Sequence, residues 1–299
     1  MSTSPAPPIA RVGIVAKSHL RQATPHLIDI STWLGERGVE PVFETATAAL
    51  LPSSDDRRVV EKLTLVASVD MVVVLGGDGT LLSMADTIAA ADTSLPILGV
   101  NFGSLGFLTE ITLPELYDSL DSVLKGTSEI EERMMLRART MRSGAVFTER
   151  LVVNDVVITK AALSRIIDLS VSVGDQHVMQ VRADGLIVAT PTGSSAYNLA
   201  AGGPIVHPAL DALLLTPIAP HMLTNRPVIL TASSQLRVTP LMHGTTEEVY
   251  VTFDGQSGHP LQPKDVVEIR RADLPLRLVR ASQRTYFDVL RQKLKWGER

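Results

Sequence analysis

The 299-residue chain contains no cysteine, which excludes disulfides, thiolate zinc sites, iron–sulfur clusters and a cysteine nucleophile. Aromatic residues make up only 4% of the sequence, too few for a platform that stacks nucleic-acid bases. The net charge of −4 has the wrong sign for a protein that grips a phosphate backbone. The composition therefore predicts a protein with no nucleic-acid partner.

Long hydrophobic runs are also missing. No stretch of about 18 uninterrupted apolar residues occurs, so we expect no membrane-spanning helix. The opening residues 1–10 (MSTSPAPPIA) have neither the basic start nor the apolar middle of a signal peptide. Together with the lack of cysteine, these features predict a cytoplasmic protein that has no membrane partner.

The residues that are present are typical of a globular protein. Hydrophobic residues make up 45% of the chain and charged residues 20%. With roughly 150 residues per domain as a guide, the length favours two domains.

In the first part of the chain, short apolar runs alternate with helical patterns. Strands are predicted at Arg11–Ala16, Met71–Leu75 and Leu95–Val100. A helix is predicted to start with Thr24 as its N-cap, and Thr112 with Glu115 forms a capping box before another helix. Strands that alternate with helices predict an α/β domain built on a parallel sheet, which we place at residues 1–127.

The second part reads as β-rich. Apolar and polar residues alternate over Ile167–Val173 and then meet the hairpin signal Gly174-Asp175. A further strand is predicted at Leu276–Arg280. We place the β-rich domain at residues 128–283, and a final helix in 284–299 is expected to join the first domain.

The sharpest local motif is the GGDGT loop, Gly76 to Thr80, which directly follows a predicted strand and precedes a helical pattern. Glycines allow a bound phosphate to approach backbone N–H groups closely, and the start of a helix favours negative charge. Asp78 would repel a phosphate, but it suits a group that accepts a proton from a hydroxyl nucleophile or that holds a Mg²⁺ bridging phosphates. The alternative is that Asp78 only caps the helix. The other common phosphate motifs, G-x-x-x-x-G-K-[ST] and G-x-G-x-x-G, are absent.

A second motif, residues 184–197 (DGLIVATPTGSSAY), predicts a strand, a tight turn and a helix start rich in hydroxyl groups. Thr192, Ser194 and Ser195 could hold phosphate or ribose there. The surroundings of Ser194 lack the second glycine of a G-x-S-x-G elbow, so a serine hydrolase is disfavoured. The alternative is an ordinary capped helix after a turn.

Three shorter motifs follow or interrupt predicted strands. Asn154 and Asp155 lie inside the apolar run 151–158, where polar groups are costly unless they are paired or face a site. Such a pair suits adenine and ribose, although a plain strand-end turn is equally compatible. Asn101 begins a loop after the third predicted strand, and Asp254-Gly255-Gln256 is either a turn or a ligand contact.

Taken in order, these motifs resemble the bacterial NAD kinase (ATP-NAD kinase) family. The resemblance rests on GGDGT at 76–80, NFGSLGFL at 101–108, ND at 154–155, DGLIVATPTGSSAYNLAAGGPIVHP at 184–208 and DGQ at 254–256. GGDGT alone also occurs in related lipid kinases and phosphofructokinases, whereas the ordered set is highly specific. The resemblance implies a Rossmann-like N-terminal α/β domain and a C-terminal β-sandwich-like domain.

The resemblance further implies that the terminal phosphoryl group of ATP, or of polyphosphate, is transferred to the 2′-hydroxyl of the adenosine ribose of NAD. Asp78 would be the catalytic base, and NAD and ATP would be the partners, together with Mg²⁺ or another divalent cation that accompanies ATP. A homodimer or homotetramer is expected, and no side-chain metal site is predicted. The predicted phosphate- and NAD-binding residues are Gly76, Gly77, Gly79, Thr80, Asn101, Asn154, Asp155, Arg165, Arg182, Asp184, Thr192, Ser195, Ala196, Tyr197, Asn198, Leu199, Ala200 and Gln256.

Two other functions compete with this interpretation. A lipid or sugar-phosphate kinase could share the GGDGT loop, but it would not need the ND pair or the block 192–197. A non-catalytic dinucleotide sensor could keep the ribose contacts, but it would have no need of Asp78.

Overall fold

The computed structural model describes residues 9–53, 57–103, 105–161, 166–222, 224–242, 248–280 and 284–296. The chain divides into two compact units, one of Met1–Glu132 with Leu276–Arg299 and the other of Arg133–Pro275. Within the described ranges, no helix is long and apolar enough to cross a membrane.

The secondary-structure elements are numbered along the chain. The strands are β1 (Arg11–Ala16), β2 (Glu40–Glu44), β3 (Arg58–Val60), β4 (Met71–Gly76), β5 (Pro96–Asn101), β6 (Ile111–Thr112), β7 (Ile130–Arg133), β8 (Leu136–Arg142), β9 (Ala145–Val152), β10 (Asp155–Lys160), β11 (Ile167–Val173), β12 (Gln176–Ala183), β13 (Gly185–Ala189), β14 (Ala212–Ile218), β15 (Val228–Thr231), β16 (Leu236–Leu241), β17 (Val249–Phe253), β18 (Ser257–Leu261), β19 (Val266–Arg271) and β20 (Leu276–Val279). The α-helices are α1 (Thr24–Gly35), α2 (Thr45–Ala48), α3 (Lys62–Ser68), α4 (Asp78–Ala90), α5 (Leu116–Leu124), α6 (Tyr197–Ala200) and α7 (Tyr286–Leu294).

The first unit is built on one sheet with the strand order β3-β2-β1-β4-β5-β20-β7, and β6 pairs with β5. β1 pairs in parallel with both β2 and β4, and β4 pairs in parallel with β5. The chain runs outward from β1 in one direction and from β4 in the other, so the order switches between these two strands. In open α/β sheets, ligands bind beyond the carboxyl ends of the strands at such a switch. The predicted α/β fold is confirmed.

Local features of the first unit agree with the sequence except at the start of α1. The amide and hydroxyl of Thr112 donate to Glu115 Oε2 at 2.8 and 2.6 Å, as the capping box predicts. The prediction of Thr24 as an N-cap was wrong, because α1 begins at Thr24 and Ala23 is its N-cap. The Thr24 hydroxyl instead donates to the Leu50 carbonyl oxygen at 2.9 Å, which joins α1 to the chain after α2.

The second unit is a sandwich of two antiparallel sheets, as predicted. Their strand orders are β15-β14-β13-β10-β17-β18 and β12-β11-β16-β19-β8-β9. Alternate residues of both sheets meet in one core, for example Val156 and Ile158 of β10 with Leu169 and Val171 of β11. The predicted hairpin is present: β11 pairs with β12 across the turn at Gly174, which has φ of +55°.

The strand predicted at Leu276–Arg280 forms, but not in the β-rich sandwich. It is β20, which pairs in parallel with β5 through Arg277 opposite Pro96 and Leu278 opposite Ile97. The chain thus leaves the second unit before β20 and adds a strand to the sheet of the first. A four-residue apolar alternation fits either sheet, so its pattern could not indicate which one it joins.

Candidate active site

The GGDGT loop lies at the carboxyl edge of the parallel sheet, as predicted. Gly76 ends β4 and is paired with Asn101, the last residue of β5, so two strands end side by side. Gly77 is the N-cap of α4, and Asp78 is the first residue of that helix. The fold therefore brings together Gly76, Gly77, Asp78 and Asn101 from two separate motifs.

The carboxylate of Asp78 is held by the loop that follows β5. Its Oδ2 accepts a hydrogen bond from the amide of Phe107 at 2.8 Å. Its Oδ1 accepts from the amides of Leu108 and Thr109 at 3.1 and 3.0 Å and from the Thr109 hydroxyl at 2.9 Å. Three successive amides that converge on one anion form a backbone cradle. Asp78 is therefore more than a cap on α4, since it joins two strand-end loops.

The approach of the loop to Asp78 depends on Gly106. A Cβ atom at residue 106 would overlap both Asp78 Oδ1 and Thr109 Oγ1. Thr109 is fully buried, and its hydroxyl also accepts from Asn101 Nδ2 at 3.0 Å. Sequence reasoning missed Gly106 and Thr109 as site residues. The only available signal was the second glycine of NFGSLGFL.

A second group of predicted residues assembles in the β-sandwich, at one end of the sheet that contains β10. Asp155 at the start of β10 pairs with Ala189 at the end of β13, and Val156 pairs with Phe253 at the end of β17. Three turns therefore adjoin one another: the ND turn (residues 154–155), the turn after β13 (residues 190–195) and the DGQ turn (residues 254–256).

Asp254 anchors the ND turn. Its Oδ2 accepts from the amide of Val153 at 2.8 Å, and its Oδ1 accepts from the amides of Asn154 and Asp155 at 2.7 and 3.0 Å. Asp254 was not among the predicted binding residues, although a polar Asp-Gly pair at a strand end was a usable signal. Gln256, which was predicted, lies exposed two residues farther on.

The turn after β13 is locked to the ND turn by Thr190. The Thr190 amide donates to the Asn154 carbonyl oxygen at 2.9 Å, and its hydroxyl donates to the Val153 carbonyl oxygen at 2.6 Å. That hydroxyl also accepts from the amide of Gly193 at 2.9 Å. Next to it, Thr192 is only 7% exposed, and its hydroxyl has no hydrogen-bond partner within the described part of the chain. Buried polar atoms in folded proteins are nearly always hydrogen-bonded, so this hydroxyl is a candidate for a ligand contact.

Asp155 is the most perturbed acid of this group. The residue is 5% exposed. Burial, reinforced by the neighbouring negative charge of Asp254, raises the pKa of Asp155 from 3.8 to about 7. Buried carboxyl groups with such a shift occur preferentially at functional sites.

The predicted residues in and just before the short helix α6 differ in burial. Asn198 is fully buried: its Nδ2 donates to the carbonyl oxygens of Ser194 and Pro204, and its Oδ1 accepts from the Thr216 hydroxyl. These bonds favour a scaffolding role for Asn198. The other predicted residues here are more accessible: Ser195, Ala196 and Leu199 are half-buried, and Tyr197 and Ala200 are exposed.

Asp184 and Arg182 are not brought to this group. Asp184 precedes β13, where Lys160 Nζ lies 3.5 Å from its Oδ1. The ND turn lies at the other end of β13, at least five residues or roughly 17 Å away at the usual rise per residue. Arg182 is exposed on β12. Arg165, predicted as a phosphate contact, lies outside the described residues.

Replacing Gly193 by alanine should destabilise the protein by about 2 kcal/mol, because the new Cβ would overlap backbone atoms of Asn154 and push the two turns apart. Urea unfolding would measure the loss. As a control, the Cβ of Gly35→Ala at the end of α1 meets no atom of the described residues within 4 Å, and this variant should change stability by less than about 0.5 kcal/mol. Equal stabilities of the two variants would contradict this packing.

Family models match both parts of the chain. The model of the ATP-NAD kinase N-terminal domain matches residues 12–128, and that of the C-terminal domain matches residues 153–281. The NAD kinase of Geobacter sulfurreducens is 48% identical over 289 residues, which cover 97% of this chain and 99% of that protein. The NAD kinase of Solibacter usitatus is 43% identical over 293 residues, which cover 98% and 100%.

Solved structures give the same result for the fold. The NAD kinase of Archaeoglobus fulgidus in complex with ATP superposes with a TM-score of 0.74 at 25% identity, covering 94% of this chain and 99% of that chain. Yeast NADH kinase complexed with NADH superposes with a TM-score of 0.87 at 24% identity, covering 98% and 89%. The resemblance inferred from the ordered motifs is therefore confirmed along almost the whole sequence: the chain belongs to the NAD kinase family.

Proposed function

We propose that this protein transfers the terminal phosphoryl group of ATP to the 2′-hydroxyl of the adenosine ribose of NAD and so forms NADP. The observation that carries this proposal is the match to NAD kinases, 46% to 48% identical over 97% of the chain. The activity is that of a phosphotransferase with an alcohol group as acceptor.

The geometry of Asp78 supports its role as the catalytic base. A carboxylate oxygen can accept two hydrogen bonds. Oδ1 already receives three donors, whereas Oδ2 receives only the Phe107 amide within the described chain. Oδ2 is therefore the atom that would accept a hydrogen bond from the ribose hydroxyl and take its proton. Phosphoryl transfer proceeds through a loose transition state, so orienting the hydroxyl is the main task of this group.

Most of the other predicted residues divide between the two ligands. We assign phosphate contacts to the backbone of Gly76, Gly77 and Gly79 and to Thr80, since their loop opens onto the start of α4. We assign dinucleotide contacts to Asn154, Asp155, Thr192 and Ser195, with Ala196, Tyr197, Leu199, Ala200 and Gln256 along the same rim. The orphaned Thr192 hydroxyl and the buried Asp155 carboxyl support this assignment.

A divalent cation is expected to arrive with ATP as part of the substrate. Among the described residues, no group of three His, Asp or Glu side chains is arranged to hold a metal ion. Mg²⁺ in nucleotide sites usually keeps several waters and binds mainly to phosphates, with one or two carboxylates at most. We therefore propose that the phosphates of ATP, rather than a protein cage, hold the ion. Assembly as a homodimer or homotetramer in the cytoplasm remains a prediction.

The direct test is to incubate the purified protein with NAD, ATP and Mg²⁺ and to measure NADP with an NADP-specific dehydrogenase. NADP formation that requires all three components is expected. Polyphosphate in place of ATP, and NADH in place of NAD, define the donor and acceptor range.

The same assay separates the competing functions. Phosphorylation of a lipid or sugar phosphate without NADP formation would identify another kinase. Binding of NAD without any ATP-dependent NADP formation would identify a dinucleotide sensor.

A further inference from the structure

We infer that Thr109, oriented by Asn101, is a positioning residue that fixes the orientation of the Asp78 carboxylate for the transfer, and that Gly106 allows the close approach that this requires. The inference rests on the proposed function, in which Asp78 is the base. The residues concerned act through their contacts with the Asp78 carboxylate.

The three side chains form a chain of hydrogen bonds with a fixed direction. Asn101 Nδ2 donates to Thr109 Oγ1 at 3.0 Å, and Thr109 Oγ1 lies 2.9 Å from Asp78 Oδ1. An amide nitrogen only donates and an ionised carboxylate only accepts, so the single hydroxyl proton of Thr109 points at Asp78. Thr109 is fully buried and Asn101 is 8% exposed, so water competes little for these bonds.

The chain makes the two oxygens of Asp78 unequal. The Thr109 side chain adds a third donor to Oδ1, which also accepts from the amides of Leu108 and Thr109. Rotation of the carboxylate plane out of this orientation would break the bond to the hydroxyl. Because the two oxygens are chemically equivalent, Thr109 fixes the plane of the carboxylate rather than the identity of one oxygen. Thr109 thus holds one oxygen in the loop and leaves the other, Oδ2, as the oxygen with fewer donors among the described residues.

Gly106 sets how closely this loop can approach. The loop is closed by a hydrogen bond from the Gly106 amide to the Thr109 carbonyl oxygen at 3.2 Å, which turns the amides between them toward Asp78. A side chain at residue 106 would overlap Asp78 Oδ1 and Thr109 Oγ1. At Gly103, in the same loop, a Cβ atom would meet Asn101 Oδ1 at an ordinary 3.9 Å and no other atom within 4 Å among the residues that the structure describes. The loop therefore contains its own matched control.

The first arm of the test compares Thr109→Val with Thr109→Ser. Valine keeps the shape of threonine but removes the donor, so kcat should fall by about 10-fold or more, while KM for NAD and for ATP stays within about twofold. Serine retains the hydroxyl and should bring kcat back to within about threefold of wild type. A merely structural role for Thr109 would not produce this rescue together with unchanged KM values.

The second arm compares Gly106→Ala with Gly103→Ala, and thermal unfolding of each variant checks that it is folded. Gly106→Ala should lower kcat by about 10-fold or more, and Gly103→Ala by less than about twofold. This arm also decides the question if Thr109→Val does not fold. Wild-type kcat in Thr109→Val, a serine variant as impaired as the valine variant, or equal effects of the two alanines would overturn the inference. A wild-type protein that forms no NADP would instead overturn the proposed function.

Discussion

Replacing Asp78 by asparagine should lower kcat by about 100-fold or more, while the affinity for NAD stays close to that of wild type. Asparagine has nearly the same shape, and its amide oxygen can still face the amides of Leu108 and Thr109. It cannot take a proton from the acceptor hydroxyl, however, and its NH₂ group would meet the Phe107 amide where Oδ2 accepts now. The loss should therefore fall on turnover rather than on binding.

Initial rates of NADP formation and calorimetric titration with NAD measure the two quantities separately. Asp86→Asn, two turns farther along α4, makes the same change of charge on the same helix and should leave kcat within about twofold of wild type. Turnover in Asp78→Asn within about threefold of wild type would remove Asp78 from the role of base.

The parallel-sheet part of this site could be predicted from the sequence. β4 is buried on both faces, and its uninterrupted apolar letters show this directly. The polar loops after β4 and β5 then had to lie at one edge of the sheet. Three of the four described donors to Asp78 could not be predicted, because they are backbone amides 29 to 31 residues away along the chain. Every residue has such an amide, so no letter of the sequence marks it.

The sandwich was harder to predict for a related reason. Its arrangement of strands depends on pairings between distant segments, and strands such as β14 and β16 contain Pro217 and Pro240, which obscure the pattern. The ND pair was found because polar residues interrupt an apolar run. The role of Asp254 was not found, since its contacts to residues 153–155 span about a hundred positions and exist only once β10 and β17 pair.

Burial of the ionised Asp155 carboxylate destabilises the folded protein, and this effect should make the stability depend on pH. Its pKa rises from 3.8 to about 7 on folding, because the carboxyl group is buried and lies beside Asp254. The folded state therefore holds a proton that the unfolded state loses between about pH 4 and pH 7. The stabilising contribution of Asp155 to the free energy of unfolding is fully present below pH 4, and it is lost as the pH rises through 7. A shift of this size corresponds to ~4 kcal/mol between the two protonation states.

Asp155→Asn should remove this dependence, because asparagine stays neutral at every pH. We expect the variant to match wild type within about 1 kcal/mol at pH 4 and to exceed it by ~4 kcal/mol at pH 8. Urea unfolding at several pH values measures the difference, and Asp175→Asn, at an exposed turn, serves as the control. Parallel stability curves for wild type and Asp155→Asn would contradict the prediction.

The same variant should bind NAD more weakly, because we assign Asp155 to the dinucleotide and an amide replaces one of its two acceptor oxygens with a donor. Greater stability at pH 8 together with weaker binding would be the pattern of a residue retained for its ligand rather than for the fold. Greater stability with unchanged NAD affinity would leave the pH dependence intact but would remove Asp155 from the dinucleotide site. The two measurements on one variant thus separate what burial does to this carboxyl group from what the carboxyl group does for NAD.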